Sequence, residues 1–216
     1  WGVEEAGFMA MALSRFTATP FVYDMDSSMA EQLTDRYRWL RPCAGLLRRL
    51  ETLPMRAAVA VVPMCEHLGG IARRHTHGSV HVLKDVSLIE PDAASAAEDL
   101  RSAFGIAGPL LMYVGNLESY QGIDLMLEAI ARLPERFADA RLVVIGGSAT
   151  GLTRYRRTAE QLGLRSRVVF AGPRPVGALG GYLRQADVLL SPRISGTNTP
   201  MKVYSYLDTG VPVVAT

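Results

Sequence analysis

Three loops rich in glycine and small polar residues have the composition of phosphate-binding loops. They read "YVGNLESYQG" (113–122), "VVIGGSATG" (143–151) and "LLSPRISGTNTPMK" (189–202), and each lies between an apolar run and a helical pattern. A helix N-terminus offers unpaired backbone amides and a partial positive charge to an anion. One such loop is a weak signal, because connecting turns are commonly glycine-rich, but three in one half of the chain form a candidate ligand site.

Lysine is rare in this sequence, which has only Lys84 and Lys202. Lys202 lies two residues after Pro200, in the first turn of a predicted helix. The helix dipole disfavours a cation at that position, so a bound anion would stabilise the lysine there. The alternative is an ordinary solvated lysine on the surface.

Short runs of β-branched residues bounded by turn signals predict buried strands at 20–26, 57–63, 79–85, 110–116, 140–147, 167–172, 186–192 and 211–216. Helical patterns separate most of them, at 27–40, 122–137, 153–164 and 176–185. This alternation predicts an α/β fold with parallel sheets. In such sheets ligands bind outside the carboxyl ends of the strands, which is where the three loops lie. The segment 89–109, rich in small and acidic residues, is the predicted domain boundary.

The composition excludes several classes of protein. The chain has 216 residues, a formal net charge of +2 and 49% hydrophobic residues, so it is ordinary for a globular protein and nucleic-acid binding is not expected. The two cysteines and four histidines match no disulfide or zinc spacing. There is neither a membrane-spanning apolar run nor a signal-peptide pattern, so we expect a cytoplasmic protein. The sequence opens without Met on a helical pattern and stops after "VPVVAT", which predicts a fragment truncated at both ends.

Five ordered segments resemble the retaining glycosyltransferases of family 4, also called glycosyl transferases group 1. They are "YVGNLESYQGIDLMLEAIARLP", "ARLVVIGG", "RVVFAGPRP", "YLRQADVLLSPR" and "TPMKVYSYLDTGVPVVAT", all within 108–216. The resemblance implies the GT-B fold, with two Rossmann-like domains that are both incomplete in this chain. Residues 1–95 would be the later part of the N-terminal acceptor-binding domain, and 96–216 most of the C-terminal nucleotide-sugar donor-binding domain.

The sequence departs from the family pattern at the charged positions. The first loop of the family commonly reads G-R-x(4)-K-G, whereas here Asn116 and Gln121 replace both cations. Thr197 and Ser205 stand where the family has two glutamates. We expect Lys202 to supply the charge for the phosphates. The resemblance thus implies a donor and phosphate site at Gly115, Asn116, Gln121, Gly146, Gly147, Ser195, Gly196, Thr197, Asn198, Thr199, Lys202 and Ser205, with no identified catalytic residue.

The implied reaction moves a sugar from a nucleoside diphosphate sugar to a hydroxyl acceptor with retention of configuration. The nucleotide-sugar is a substrate and no cofactor is expected; the acceptor is a saccharide, a lipid-linked molecule or a small-molecule hydroxyl. We expect this truncated chain alone to be inactive, because the chemistry of this fold needs groups from both domains. Two alternatives stay open: a nucleotide-sugar epimerase or hydrolase on the same architecture, and a non-catalytic nucleotide-sugar-binding protein.

Two stretches of the first half could contact other molecules. The "DMD" at 24–26 resembles the Asp-x-Asp metal motif of GT-A glycosyltransferases, but it ends a strand and precedes an N-cap signal, so we predict no metal site and place Asp24 on the acceptor side. The arginine-rich stretch 35–53, with Trp39 and Leu40, could contact an anionic membrane surface at the inner face of the membrane. Pro42 splits that stretch, and a solvated helix pair is the alternative.

Overall fold

The chain forms two compact units in a computed structural model that describes residues 3–89, 97–196 and 198–216. The first unit is Trp1–Asp85 with Gly196–Thr199, and the second is Val86–Ser195 with Pro200–Thr216. The division after Asp85 falls earlier than the predicted boundary between 1–95 and 96–216. The reason is local, because the Leu88 amide donates to Ser205 Oγ (3.1 Å) and Ile89 packs on an apolar cluster of the second unit.

The first unit contains a three-stranded parallel sheet with the strand order β1-β2-β3. Its elements, in chain order, are α1 (Val3–Thr17), β1 (Val22–Met25), α2 (Met29–Arg36), a 3-10 helix (Arg38–Cys43), α3 (Ala44–Ala57), β2 (Ala60–Pro63), α4 (Glu66–His75) and β3 (Ser79–Val80). The strand predicted at 79–85 is short, but the amides of His81 and Leu83 continue its backbone hydrogen bonds to Val61 and Pro63. Tyr23, Met25 and Leu68 are among the buried residues of its core.

The second unit contains a five-stranded parallel sheet with the order β6-β5-β4-β7-β8. Its elements are α5 (Leu100–Phe104), β4 (Leu110–Val114), α6 (Ile123–Ala131), β5 (Arg141–Ile145), α7 (Ala149–Gln161), β6 (Val168–Gly172), α8 (Leu179–Leu183), β7 (Val188–Ser191), α9 (Met201–Asp208) and β8 (Val213–Ala215). Short 3-10 helices occur at Ser119–Gln121, Glu135–Phe137 and Val176–Ala178. The predicted α/β fold with two Rossmann-like parallel sheets is confirmed.

Both faces of the second sheet are covered, as the apolar strands predict. Tyr113 of β4 and Val144 of β5 enter one buried cluster, whereas their neighbours Met112 and Val143 enter another. Alternate residues of a strand point to opposite faces, so the two clusters lie on the two sides of the sheet. This burial fixes the register of the strands and therefore the positions of the loops that follow them.

The order of the strands reverses direction at β4. The chain runs from β4 through β5 to β6 on one side, and then returns to place β7 and β8 on the other side. Since all pairs are parallel, the loops after β4, β5 and β7 leave the same edge, as predicted. The crevice between strands where the order reverses is the usual ligand site of an open parallel sheet. In the described parts of the chain, no helix combines the length and apolar character needed to cross a membrane.

Candidate functional site

A partly buried lysine lies at the edge where β4 and β7 end. Lys202, in the first turn of α9, donates hydrogen bonds to the hydroxyl of Tyr113 (2.9 Å) and to Oε1 of Gln121 (2.8 Å). Its Nζ is also 4.0 Å from the centroid of the Tyr113 ring. Among the described residues, no carboxylate lies within salt-bridge distance of this ammonium. Within the described parts of the chain, the lysine therefore has neutral hydrogen-bond partners and no counter-ion.

The electrostatic surroundings of Lys202 disfavour its charge. Burial is the main cause, and the positive charge of Arg193 adds to it, so the pKa of Lys202 falls from 10.5 to about 7. The pKa of Tyr113 is raised, mainly by burial, so this hydroxyl stays neutral and cannot serve as the counter-ion. An anion bound beside Lys202 and Arg193 would restore the charged form of the lysine.

Helix α9 is anchored so that Lys202 faces β4. Tyr206 lies one turn after Lys202 and is almost completely buried. Its hydroxyl accepts a hydrogen bond from the amide of Val114 (2.8 Å) and donates to the carbonyl of the same residue (3.2 Å). Residues four apart share one face of a helix, so the anchor at Tyr206 directs Lys202 to the end of the same strand.

Two glycines let the three loops approach one another. Gly122 has a φ of +71°, and a Cβ there would overlap the carbonyl oxygen of Pro192 in the loop after β7. Gly146 has a φ of +104°, and a Cβ there would overlap the carbonyl oxygen of Gly115. Glycine is required at both positions by conformation and by space. The loops after β4, β5 and β7 consequently pack with their backbones in contact.

The loop after β4 is tied to the lysine through a tyrosine. The hydroxyl of Tyr113 accepts from Lys202 and donates to the carbonyl of Asn116 (2.6 Å). The side chain of Asn116 lies 3.4 Å from the Tyr120 hydroxyl and accepts from the amide of Glu118 (3.4 Å). Gln121 is buried and accepts from Lys202, so the structure brings together Gly115, Asn116, Gln121 and Lys202.

Three other predicted site residues in the second unit have contacts of their own. Gly147 lies against Leu117, so a side chain there would meet that leucine. The carbonyl of Ser195 accepts from Nε of Arg193 (2.6 Å), which closes the turn after β7. Ser205 is buried, and its hydroxyl accepts from the Leu88 amide, so in this structure it holds the chain segment that enters the second unit.

The remaining predicted residues belong to the first unit. Gly196, Asn198 and Thr199 cluster there, and the side-chain amide of Asn198 donates to the carbonyl of Asp26 (3.3 Å). Thr197 lies outside the described residues. Asp24 lies in β1, where it pairs with Val62 of β2, and its side chain is exposed. By their contacts Gly196, Asn198 and Thr199 group with the first unit, whereas Lys202 belongs to the second.

Sequence reasoning missed two members of the Lys202 cluster. Tyr113 was predicted as part of the strand at 110–116 and as the first residue of the loop 113–122, with no role in the site, although it supports the lysine through both its hydroxyl and its ring. Arg193 lies in the quoted loop after β7, and its guanidinium lies 5.6 Å from the centroid of the Tyr120 ring. A signal for Arg193 was present, because a second cation in a glycine-rich loop is a candidate phosphate ligand.

Comparison with known families gives the class of the protein. A family model described as "Glycosyl transferases group 1" matches residues 98–216. The chain belongs to this family. A D-inositol 3-phosphate glycosyltransferase of Corynebacterium urealyticum is 34% identical over 140 residues, which cover 61% of this chain and 33% of that relative. Mannosylfructose-phosphate synthase of Agrobacterium fabrum is 28% identical over 156 residues, covering 68% of this chain and 34% of the relative.

Solved structures share the GT-B fold of this group 1 glycosyltransferase chain. Sucrose-phosphate synthase from Thermosynechococcus elongatus superposes with a TM-score of 0.76 at 18% identity, covering 98% of this chain and 54% of that one. Anabaena HepE in complex with UDP gives a TM-score of 0.73 at 18% identity, and the match covers 98% of this chain and 57% of that one. The group 1 chain described here spans about a third of the length of the curated relatives named above.

Proposed function

We propose that this protein transfers a sugar from a nucleoside diphosphate sugar to a hydroxyl acceptor, with retention of configuration. The observation that carries the proposal is Lys202, a partly buried cation with neutral partners at the carboxyl edge of a parallel sheet. Burying a charge without a partner is costly, and a bound diphosphate would supply the partner. The position supports this, since Lys202 lies beside β4, where the strand order reverses.

The chain's own groups would stabilise the leaving diphosphate. Negative charge grows on the diphosphate as the bond to the sugar breaks, and fixed donors aimed at that charge are usually the largest catalytic contribution. Lys202 and Arg193 would supply positive charge, and Gln121 would hold the ammonium in place through its 2.8 Å hydrogen bond. Tyr113 would act as a positioning residue, because it contacts the lysine and the backbone of Asn116.

The names of the relatives suggest which substrates to test first. HepE structures are described in complexes with UDP and with UDP-glucose, so we infer a UDP-linked hexose as the first donor to try. Inositol 3-phosphate, mannosylfructose-phosphate and sucrose-phosphate appear in the names of relatives and neighbours, and all are phosphorylated polyols or sugars. We infer a phosphorylated small-molecule acceptor. The second unit would bind the donor and the first unit the acceptor, with exposed Asp24 as a candidate contact.

The test is a panel of nucleotide-sugars incubated with the full-length natural protein, with and without inositol phosphates and sugar phosphates as acceptors. A glycosylated acceptor supports the proposal. Release of free sugar or of an epimer, with no glycosylated product, would make the protein a hydrolase or epimerase. Binding of nucleotide-sugar with no turnover under any condition would make it a binding protein, and either result would overturn the proposed transfer.

A further inference from the structure

Helix α3 in the first unit exposes a stripe of leucines opposite its buried side. Leu46, Leu50 and Leu53 are 60%, 39% and 43% exposed, although they follow the 4- and 3-residue spacing of a single helix face. Glu51 and Met55 lie on the opposite side and are buried at 4% and 0%. The leucine stripe is thus an outward-facing apolar surface rather than a loosely packed part of the core.

The segment around this stripe, residues 37–57, is rich in exposed arginines and has a single acidic residue. The segment 37–57 contains Arg38, Arg41, Arg48, Arg49 and Arg56, and all five are exposed. Its one acidic residue is Glu51, which is buried and accepts a hydrogen bond from Ser28 Oγ (3.0 Å). Arg49 and Arg56 are seven residues apart, so they lie together along one border of the leucines. The surface is therefore both apolar and strongly basic.

An exposed tryptophan precedes the stripe. Trp39 is 75% exposed and lies in the 3-10 helix Arg38–Cys43, which ends directly before α3. Pro42 interrupts the helical run as predicted, because α2 ends at Arg36 and α3 begins only at Ala44. The interruption leaves Trp39 and Arg41 exposed in the 3-10 helix directly before α3. Tryptophan favours the boundary between water and lipid, since its ring is apolar and its N–H is polar.

We propose that this basic apolar face, formed by Trp39, Arg41, Leu46, Arg49, Leu50 and Leu53, docks on an anionic lipid bilayer. The charge decides between the possible partners. A second copy of this chain would bring Arg41 and Arg49 against the same arginines in a symmetric interface, and the charges would repel. A bilayer with anionic lipids accepts the leucines and tryptophan in its interface and attracts the arginines with its surface charge. The adjacent helix α1, which packs on α3 where Gly7 meets Pro54, also exposes Met9 and Phe16.

The test is co-flotation of the protein with vesicles of phosphatidylcholine alone or with 30% phosphatidylglycerol. We expect binding to the anionic vesicles, little binding to the neutral ones, and loss of binding at 0.5 M NaCl, where surface charges are screened. Each arginine near an anionic surface strengthens partitioning roughly fivefold. The double variant Arg41→Gln/Arg49→Gln should therefore bind roughly 25-fold more weakly, by the same contribution per arginine.

A matched control distinguishes binding through this face from a general effect of the protein's net charge. Arg157→Gln/Arg165→Gln removes the same charge from two exposed arginines of the second unit, and it should leave flotation unchanged. Trp39→Ser should weaken binding to the anionic vesicles at low salt although it keeps the net charge, and circular dichroism should show that each variant is folded. No flotation of wild type, equal flotation with neutral vesicles, or an equal loss in the control variant would overturn the proposal. So would a concentration-dependent dimer that is abolished by Leu50→Asp while wild type ignores vesicles.

Discussion

The ammonium of Lys202 lies 2.8 Å from Oε1 of Gln121, although 81 positions separate the two residues in the chain. In the pattern typical of related glycosyltransferases, a lysine occupies the position of Gln121. Here Lys202, in the helix α9 that follows the loop after β7, reaches the end of the Gln121 side chain. We propose that Lys202 supplies the positive charge that the family resemblance implies at position 121, with Gln121 holding its ammonium.

Replacing Lys202 by methionine should weaken nucleoside diphosphate binding by about ten- to a hundredfold. Methionine keeps most of the volume over Tyr113 and removes the charge. A hydrogen bond to a charged group contributes about 1.5–3 kcal/mol, and each 1.4 kcal/mol is about a factor of ten. Binding of the nucleoside without phosphates should barely change. Calorimetric titration of both ligands measures the difference.

The control for this variant is Lys84→Met, which removes the other lysine, an exposed residue of the first unit. It should bind the diphosphate like wild type. If Lys202→Met binds the diphosphate as tightly as wild type, then the ammonium does not contact phosphate and the proposed donor site loses its main support.

The strands could be predicted because their signal is local. The stretches 110–114 and 142–145 are apolar at every position, and this fits strands such as β4 and β5, which are covered on both faces. Prolines explain where the helical predictions were too long. The helix predicted at 122–137 ends at Ala131, and Pro134 precedes a separate 3-10 helix.

The cluster around the lysine was only partly predictable. Lys202 stood out by its rarity, but Tyr113 could not be paired with it from the sequence, because the two meet only after β4 and α9 pack together. Ser205 shows the opposite problem. Its position in the family pattern suggested a ligand contact, whereas its hydroxyl accepts from Leu88, a residue that the sequence assigned to the other domain.

Lys202→Met should also change how stability depends on pH. The pKa of Lys202 is about 7 in the folded protein and 10.5 as its ordinary value. Between these values the unfolded chain binds more protons, so wild-type stability rises with pH across this window. Below pH 7 both states are protonated and the full cost of the buried charge is present. The variant lacks this cost at every pH.

Urea unfolding of wild type and Lys202→Met at pH 6 and pH 9 gives the measurement. The free energy of unfolding of the variant minus that of wild type should be larger at pH 6 than at pH 9. The increase should be roughly 1.4 kcal/mol for each pKa unit titrated between these two pH values. The lost hydrogen bonds to Tyr113 and Gln121 shift the difference by a constant, so the change with pH is decisive. A difference that is the same at both pH values would contradict the lowered pKa.

Diphosphate binding should be coupled to uptake of a proton. At pH 8 Lys202 is mostly neutral in the free protein, and an adjacent diphosphate would restore its ammonium. Titrations at pH 8 in buffers of different ionisation enthalpy should reveal uptake approaching one proton. The phosphate group itself titrates at about pH 6, so pH 8 keeps its contribution small. Lys202→Met should show no such uptake, and a wild-type enthalpy that is independent of the buffer would count against a titrating lysine at the phosphate.

Gly122 and Gly163 provide a matched pair that isolates the packing of the loops. Both glycines have a φ of +71°, but a Cβ on Gly163 meets nothing within 4 Å, whereas one on Gly122 overlaps the Pro192 carbonyl oxygen. Gly163→Ala should therefore cost only the conformational penalty of about 1–2 kcal/mol. Gly122→Ala adds displacement of the backbone and should cost roughly 2–5 kcal/mol in total.

Chemical denaturation of the two alanine variants measures both costs, and diphosphate titration tests the local consequence. Gly122 directly follows Gln121, so moving the loop would move the oxygen that holds the Lys202 ammonium. We expect Gly122→Ala to lose diphosphate affinity even where it is fully folded, and Gly163→Ala to keep it. Equal destabilisation of the two variants would mean that the loops after β4 and β7 do not pack as closely as described, and that the position of the lysine does not depend on their contact.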